Sequence, residues 1–302
     1  MSRIHEALKR AEEQRPSAWK PAEPTPFGVA GGEGGSASAV SRALYSPKWG
    51  EIPAPGRRLR LEELRQRSSK PGWKLNPDYD AFSPQHSSAL CAEQFRTLRS
   101  RLYRLKEKSP LRTLVVTSTL PGEGKTFVAL NLALAIARQH ERRALLIDAD
   151  LRASRIHVGL GAPSAPGLSD YLSGKADEFS ILQADPKVEL FLVPAGKPVP
   201  NPSELLANGM LKSFIDGVSP VFEWVIVDTP PVLAVADAGI IAEFCDGVMV
   251  VVRANKTPHD LVKTTLQEFR GNNLLGVVLN DASEGANYGG YSFRAGFGTD
   301  KK

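Results

Sequence analysis

The sequence predicts an α/β fold, a doubly wound and mostly parallel sheet, and three observations point there. Short apolar runs at residues 113–117, 144–147, 188–193, 224–227, 248–252 and 274–279 are separated by segments of helical periodicity. Strands that are apolar at successive positions must be covered on both faces, and the alternation with helices supplies that cover. The first run is followed by a glycine-containing turn and an Ala- and Leu-rich helix, and two later runs end in aspartates. In open α/β sheets ligands bind at the carboxyl ends of strands, so acids there point to a polar or charged ligand.

The elements follow in chain order. Residues 2–14 (SRIHEALKRAEEQ) set Ile4, Ala7, Leu8 and Ala11 on one helical face behind a Ser2 cap, and Pro16 ends the pattern. The chain holds 26 Gly and 23 Pro, more than one compact α/β core uses, and the surplus falls in a linker. The expected organisation is an amphipathic helix over residues 1–15, a mostly disordered basic linker over 16–86, a folded domain over 87–283 and a flexible Gly/Tyr tail over 284–302. Inside the linker, residues 57–70 (RRLRLEELRQRSSK) have the pattern of a basic helix, either a solvated charged face or a membrane-surface helix. Over residues 88–108, Leu90, Phe95, Leu98, Leu102 and Leu105 form the apolar stripe of the first domain helix.

Composition excludes several classes. Residues 1–85 carry 14 Lys+Arg against 10 Asp+Glu and the remainder 24 against 23, so the formal +5 is mostly N-terminal. The basic residues are interleaved with acids and lack base-stacking aromatics, so no nucleic-acid partner is expected. Cys91 and Cys245 have no metal or redox spacing and read as small core residues of a reducing compartment. No run approaches the roughly 18 apolar residues of a membrane span. Residues 1–15 lack the apolar core of a secretory signal, so a cytoplasmic location is expected, with membrane contact made through a partner.

The chemistry concentrates after the first strand. Residues 118–124 (STLPGEG) form a glycine turn and residues 126–139 a helix, the context in which a phosphate-binding loop is credible. Gly122 and Gly124 let backbone N–H groups turn toward phosphate oxygens, helped by the positive end of the helix. Lys125 would reach the β and γ phosphates of ATP, and the Thr126 hydroxyl would ligate Mg2+. Thr119 stands where the common motif has glycine, and an ordinary helix-start lysine is the bland alternative. Asp148 and Asp150 at the end of one strand (ALLIDADLR), and Asp228 at the end of another (WVIVDTPP), make that alternative hard to sustain. Each acid alone could cap the next helix, but unpaired carboxylates beside buried strands are costly, and together they call for a cation.

These residues resemble the bacterial tyrosine kinases of capsular and exopolysaccharide synthesis, from about residue 88 to the C-terminus. The family's P-G-E-G-K-[ST] loop matches Pro121, Gly122, Glu123, Gly124, Lys125 and Thr126; its D-x-D-x-R matches Asp148, Asp150 and Arg152; its D-x-P-P matches Asp228, Pro230 and Pro231. The resemblance implies an ATP- and magnesium-dependent tyrosine autokinase. Lys125 would stabilise the transferring phosphoryl group, Asp148 and Asp228 would serve the metal, Asp150 would orient or deprotonate the acceptor phenol, and Arg152 would hold phosphate or acceptor. The family's E-x-x-R-x-x-R oligomer signature is similar to Glu93, Arg96 and Arg99, a spacing that i,i+3 surface pairs also explain. The stretch NPSELL from Asn201 is similar as well.

Family tails carry tyrosine clusters phosphorylated between neighbouring subunits, whereas residues 287–293 (NYGGYSF) offer Tyr288 and Tyr291. Such a tail suits a substrate strand entering a neighbour's site and equally suits an inert end. The resemblance further implies a ring-like homo-oligomer, a transmembrane polysaccharide co-polymerase or chain-length regulator as activator, and a cognate tyrosine phosphatase. A partitioning or division-site ATPase is the first rival, and it lacks support because Leu120 occupies the position of that group's signature lysine. A non-catalytic nucleotide-gated scaffold is the second. Neither H-R-D with D-F-G nor G-x-G-x-x-G occurs, which disfavours eukaryotic-type kinases and dinucleotide oxidoreductases.

Overall fold

The computed structural model describes residues 58–83, 89–185, 187–269 and 274–282. The predicted helix at 1–15, most of the linker, and the tail with Tyr288 and Tyr291 lie outside the described residues.

The apolar runs become strands: β1 (Thr113–Ser118), β2 (Ala144–Asp148), β4 (Leu190–Val193), β5 (Trp224–Asp228), β6 (Gly247–Arg253) and β7 (Leu274–Asn280). With β3 (Gln183–Ala184) they form one sheet in the order β3-β4-β2-β5-β1-β6-β7, parallel except for the β3–β4 pair. β3 has two residues and pairs antiparallel at the edge, too short to leave a period in the sequence. Strand residues alternate between two cores. Val115, Leu145 and Ile147 face one, and Leu114, Val116 and Leu146 face the other.

Helices α2 (Ala89–Lys106), α3 (Lys125–Ala137) and α4 (Ile156–Leu160) cover the second face. The opposite face is covered by α1 (Leu61–Arg67), α5 (Leu168–Leu172), α6 (Pro202–Ala207), α7 (Met210–Val218), α8 (Asp237–Ala242) and α9 (His259–Glu268). Every residue of α3 from Val128 to Ala137 is buried, because this helix is enclosed between sheet and α2, and its alanines permit the close approach.

Two expectations need correction. Residues 58–83 are not linker: Leu59, Leu64, Trp73 and Ala81 are buried in the two cores, and Ser69 bridges to Gln183 beside β3. The basic segment therefore neither floats nor lies on a membrane with its apolar side, since Leu64 is fully buried while Arg65 and Arg67 pair with Glu189 and Asp177. Its polar composition hid an apolar anchor spaced across a Pro-rich stretch. In α2, Phe95 and Leu102 are buried as the stripe predicts, but Leu90 is 50% exposed in the first turn. Among the described residues no helix is long and apolar enough to cross a membrane.

Candidate nucleotide site

The sheet order sets the site. β5 lies between β1 and β2, with Asp228 beside Val116 on one side and beside Asp148 on the other. The loop after β1 and the loop after β2 therefore flank the end of β5 and bring three distant segments together.

The loop after β1 enters α3 through Gly122 and Gly124, with φ of 80° and 92°. Those are conformations that residues with a Cβ adopt only under strain. At Gly124 an added Cβ would also lie 2.1 Å from Asn280 Nδ2, so the Asn280 amide keeps its place only against a bare glycine.

Lys125 Nζ lies 2.8 Å from Asp150 Oδ2 and 3.8 Å from Asp228 Oδ2, with 12% of its side chain exposed. Thr126 Oγ1 donates to Asp228 Oδ2 at 2.7 Å. Burial lowers the Lys125 pKa, but the charges of Asp228 and Asp150 outweigh it and the net shift is upward, so the ammonium is secure. Burial pushes the Asp228 carboxyl up to about 6, opposed by Lys125 and the Thr126 hydrogen bond. Asp148, fully buried, is raised well above the usual carboxylate range by burial and then by the charges of Asp228 and Asp150. The pocket sets three carboxyl groups around one lysine, and their mutual repulsion, seen in the raised values of Asp148 and Asp228, is what a bound cation would relieve.

The acids are not equivalent. Asp148 accepts the Asp150 and Ile156 backbone amides, each at 3.3 Å, so both its oxygens hold the turn after β2. Asp150 divides its oxygens between Lys125 and the Ala153 amide at 2.9 Å. Asp228 Oδ1 is buried with no partner at all. Among the described residues no three His, Cys, Asp or Glu side chains form a metal-holding group. Asp148, expected to serve the metal beside Asp228 directly or through water, gives one lone pair of each oxygen to the backbone and keeps the others. A magnesium ion fits here when held by Thr126, the free oxygen of Asp228 and phosphate oxygens, in keeping with an ion that keeps few protein ligands.

Arg152, expected to hold phosphate or acceptor, is 38% exposed and has partners on two helices. Its guanidinium meets Asp237 Oδ2 at 3.1 Å and Ser203 Oγ at 2.8 Å. Asp237 is fully buried at the start of α8, and Ser203 belongs to the NPSELL stretch in α6. Arg152 thus joins the turn after β2 to two helices, and both of its partners were missed because single polar residues carry no periodic signal. Glu123, a residue of the expected phosphate loop, is held through its side chain. Its carboxylate accepts from Leu120 N at 2.7 Å, from Arg253 N at 3.4 Å and from the Thr257 hydroxyl, so only its backbone remains to face a phosphate.

The oligomer signature splits. Glu93 and Arg96 pair at 2.9 Å on the exposed face of α2, whereas Arg99 donates to the Ala135 carbonyl of α3 at 2.5 Å and is tied to the domain itself.

Residues 114–289 match the model of the CobQ/CobB/MinD/ParA nucleotide binding domain. The chain is 36% identical over 203 residues to the tyrosine-protein kinase CpsD of Streptococcus agalactiae, covering 66% of this chain and 87% of that protein. It is 33% identical over 213 residues to the tyrosine-protein kinase YwqD of Bacillus subtilis, covering 69% and 90%. Among solved structures, the kinase domain of the Escherichia coli tyrosine kinase ETK superposes with a TM-score of 0.65 at 30% identity, over 78% of this chain and 93% of that one. With the nucleotide-binding domain matched over more than half of its length and these relatives covered over most of theirs, the chain belongs to the bacterial tyrosine-protein kinases of the CobQ/CobB/MinD/ParA nucleotide-binding class.

Proposed function

We propose that the protein is an ATP-dependent protein-tyrosine autokinase that phosphorylates tail tyrosines of neighbouring copies and thereby regulates capsular or exopolysaccharide synthesis and export. The observation that carries this reading is Lys125 held between Asp150 and Asp228 beside a buried Asp228 oxygen without a partner. Bound Mg-ATP supplies the phosphoryl donor and the cation that offsets its charge. The backbone N–H groups around Gly122 and Gly124 hold the phosphates, and Thr126 with Asp228 holds the magnesium.

Lys125 has two roles in succession. In the structure it neutralises Asp150, and it would turn to the phosphates of a bound ATP. Asp150 Oδ2 then loses its partner and becomes the acceptor for the phenol proton. A free tyrosine has a pKa of about 10, so proton removal during transfer requires such a base. Tyr288 and Tyr291 are the proposed acceptors. Glu93 and Arg96, exposed on α2, are proposed contacts of a ring-like homo-oligomer, with Arg99 holding α2 to α3. A transmembrane polysaccharide co-polymerase, acting at the cytoplasmic face, would recruit and activate the kinase, and a cognate tyrosine phosphatase would reverse it.

The test is incubation of purified protein with Mg-ATP and detection of phosphotyrosine, beside Lys125→Met and the double variant Tyr288→Phe/Tyr291→Phe. Signal is expected in the unaltered chain alone. Full signal without the tail tyrosines moves the acceptor elsewhere, and ATP binding with no phosphotyrosine in any sample favours the nucleotide-gated scaffold.

A further inference from the structure

The phosphate loop has an odd feature. Gly122 and Pro121 are exposed, two glycines sit at positive φ, and the side chain that is buried is an acid, Glu123, at 3% exposure. A buried carboxylate inside an anion-binding loop opposes phosphate electrostatically, so its contribution must come from elsewhere. Glycines also give such a loop many alternative backbone states, each of which weakens binding by the entropy of selecting one.

The contacts of Glu123 lead away from the ligand. One carboxylate oxygen takes the Leu120 amide at 2.7 Å and closes the loop on itself. The other receives the Thr257 hydroxyl, from the turn between β6 and α9, and the amide of Arg253, the last residue of β6, at 3.4 Å. From the neighbouring strand, Asn280 Nδ2 donates to the Glu123 backbone carbonyl at 2.9 Å and lies against the bare face of Gly124. Next to it Arg253 pairs with Asp281 at 2.7 Å, fastening the ends of β6 and β7 to each other.

We infer that Thr257 and Asn280 are positioning residues for ATP: acting through Glu123, they clamp the phosphate loop in its binding conformation from the ends of β6 and β7. Asn280 precedes Tyr288 and Tyr291 in one run of chain, so the strand end that holds the loop is also the root of the proposed acceptor segment. The inference rests on the nucleotide-binding part of the proposed function and is independent of the phosphoryl transfer.

The test uses the full chain, with the dissociation constant of a fluorescent ATP analogue plus Mg2+ measured by titration and the phosphotyrosine rate measured at saturating ATP. Thr257→Val keeps the shape and removes the hydroxyl; Thr257→Ser keeps the hydroxyl. Losing a hydrogen bond to a charged group corresponds to about tenfold and to a neutral carbonyl about fivefold, so the dissociation constant is expected to rise about tenfold in Thr257→Val and about fivefold in Asn280→Ala. Thr257→Ser stays near the unaltered value, and the rate at saturation is retained in all three. Unchanged affinity in Thr257→Val and Asn280→Ala, equal loss in Thr257→Val and Thr257→Ser, or a fall in rate at constant affinity each overturns the clamp. An unaltered chain that binds the analogue without making phosphotyrosine sinks the kinase reading alone, and the affinity comparison still decides the clamp.

Discussion

Thr126 Oγ1 donates to Asp228 Oδ2 at 2.7 Å, joining the first turn of α3 to the end of β5. The bond occupies one oxygen of a carboxylate whose other oxygen is buried and unpartnered. The site therefore crowds three carboxyl groups around Lys125, the cation that contacts two of them.

That crowding makes two substitutions act in opposite directions on the nucleotide-free protein. Lys125→Met removes the cation from among Asp148, Asp150 and Asp228 and is expected to cost about 3 kcal/mol of stability by urea denaturation at neutral pH, as for other broken buried pairs. Asp228→Asn removes one of the crowded acids and is expected to leave stability equal or higher. Both abolish the phosphotyrosine signal. Equal destabilisation by the two would mean that the acids are not in conflict.

Arg152 is expected to matter through Asp237. Arg152→Ala leaves a fully buried carboxylate with only Ser203, at a cost of about 1–2 kcal/mol once the partial exposure of Arg152 is allowed for. Arg152→Lys does not restore the loss, because a single ammonium cannot reach both partners as the planar guanidinium does. Adding Asp237→Asn to Arg152→Ala should recover part of the stability, and the double-mutant cycle measures the coupling.

Leu64→Ala tests whether residues 58–83 belong to the fold. Leu64 is fully buried against the sheet, so the substitution is expected to cost about 3 kcal/mol, read as a lower denaturation midpoint with an unchanged slope. A true linker would show no change.

Glu223 supplies a pH dependence. Burial raises its pKa, but Lys106 at 3.0 Å and Arg142 at 3.1 Å bring the net shift below the ordinary value. A depressed carboxyl contributes stability that is present above its unfolded pKa and lost as pH falls through the folded one. Stability should therefore decline on the acid side, below about pH 4.5. In Glu223→Gln that acid limb is expected to flatten, with the two proteins converging at the lowest pH. A parallel offset at every pH would show that packing, not charge, is what Glu223 provides.

Much of this protein was legible in order of sequence. The apolar runs gave six of the strands to within a residue or two; five are buried on both faces and must be apolar throughout, whereas β7 is an edge strand that leaves Val277 and Leu279 exposed. The loop with Gly122, Gly124, Lys125 and Thr126, and the aspartates at the ends of β2 and β5, were likewise readable, since a strand, a turn and a helix start are local facts. Partnership was not. Sequence spacing could not tell that Asp148 gives its oxygens to the backbone while Asp228 keeps one free, that Arg152 answers to Asp237, or that Glu123 reaches Thr257. Nor could composition show that Leu64 and Trp73 anchor a Pro-rich segment on the domain. A period along the chain fixes which face a residue presents, but which atom meets it depends on segments far away in sequence, and only the packing of β5 between β1 and β2, with β6 and β7 beyond, brought those atoms within a hydrogen bond of each other.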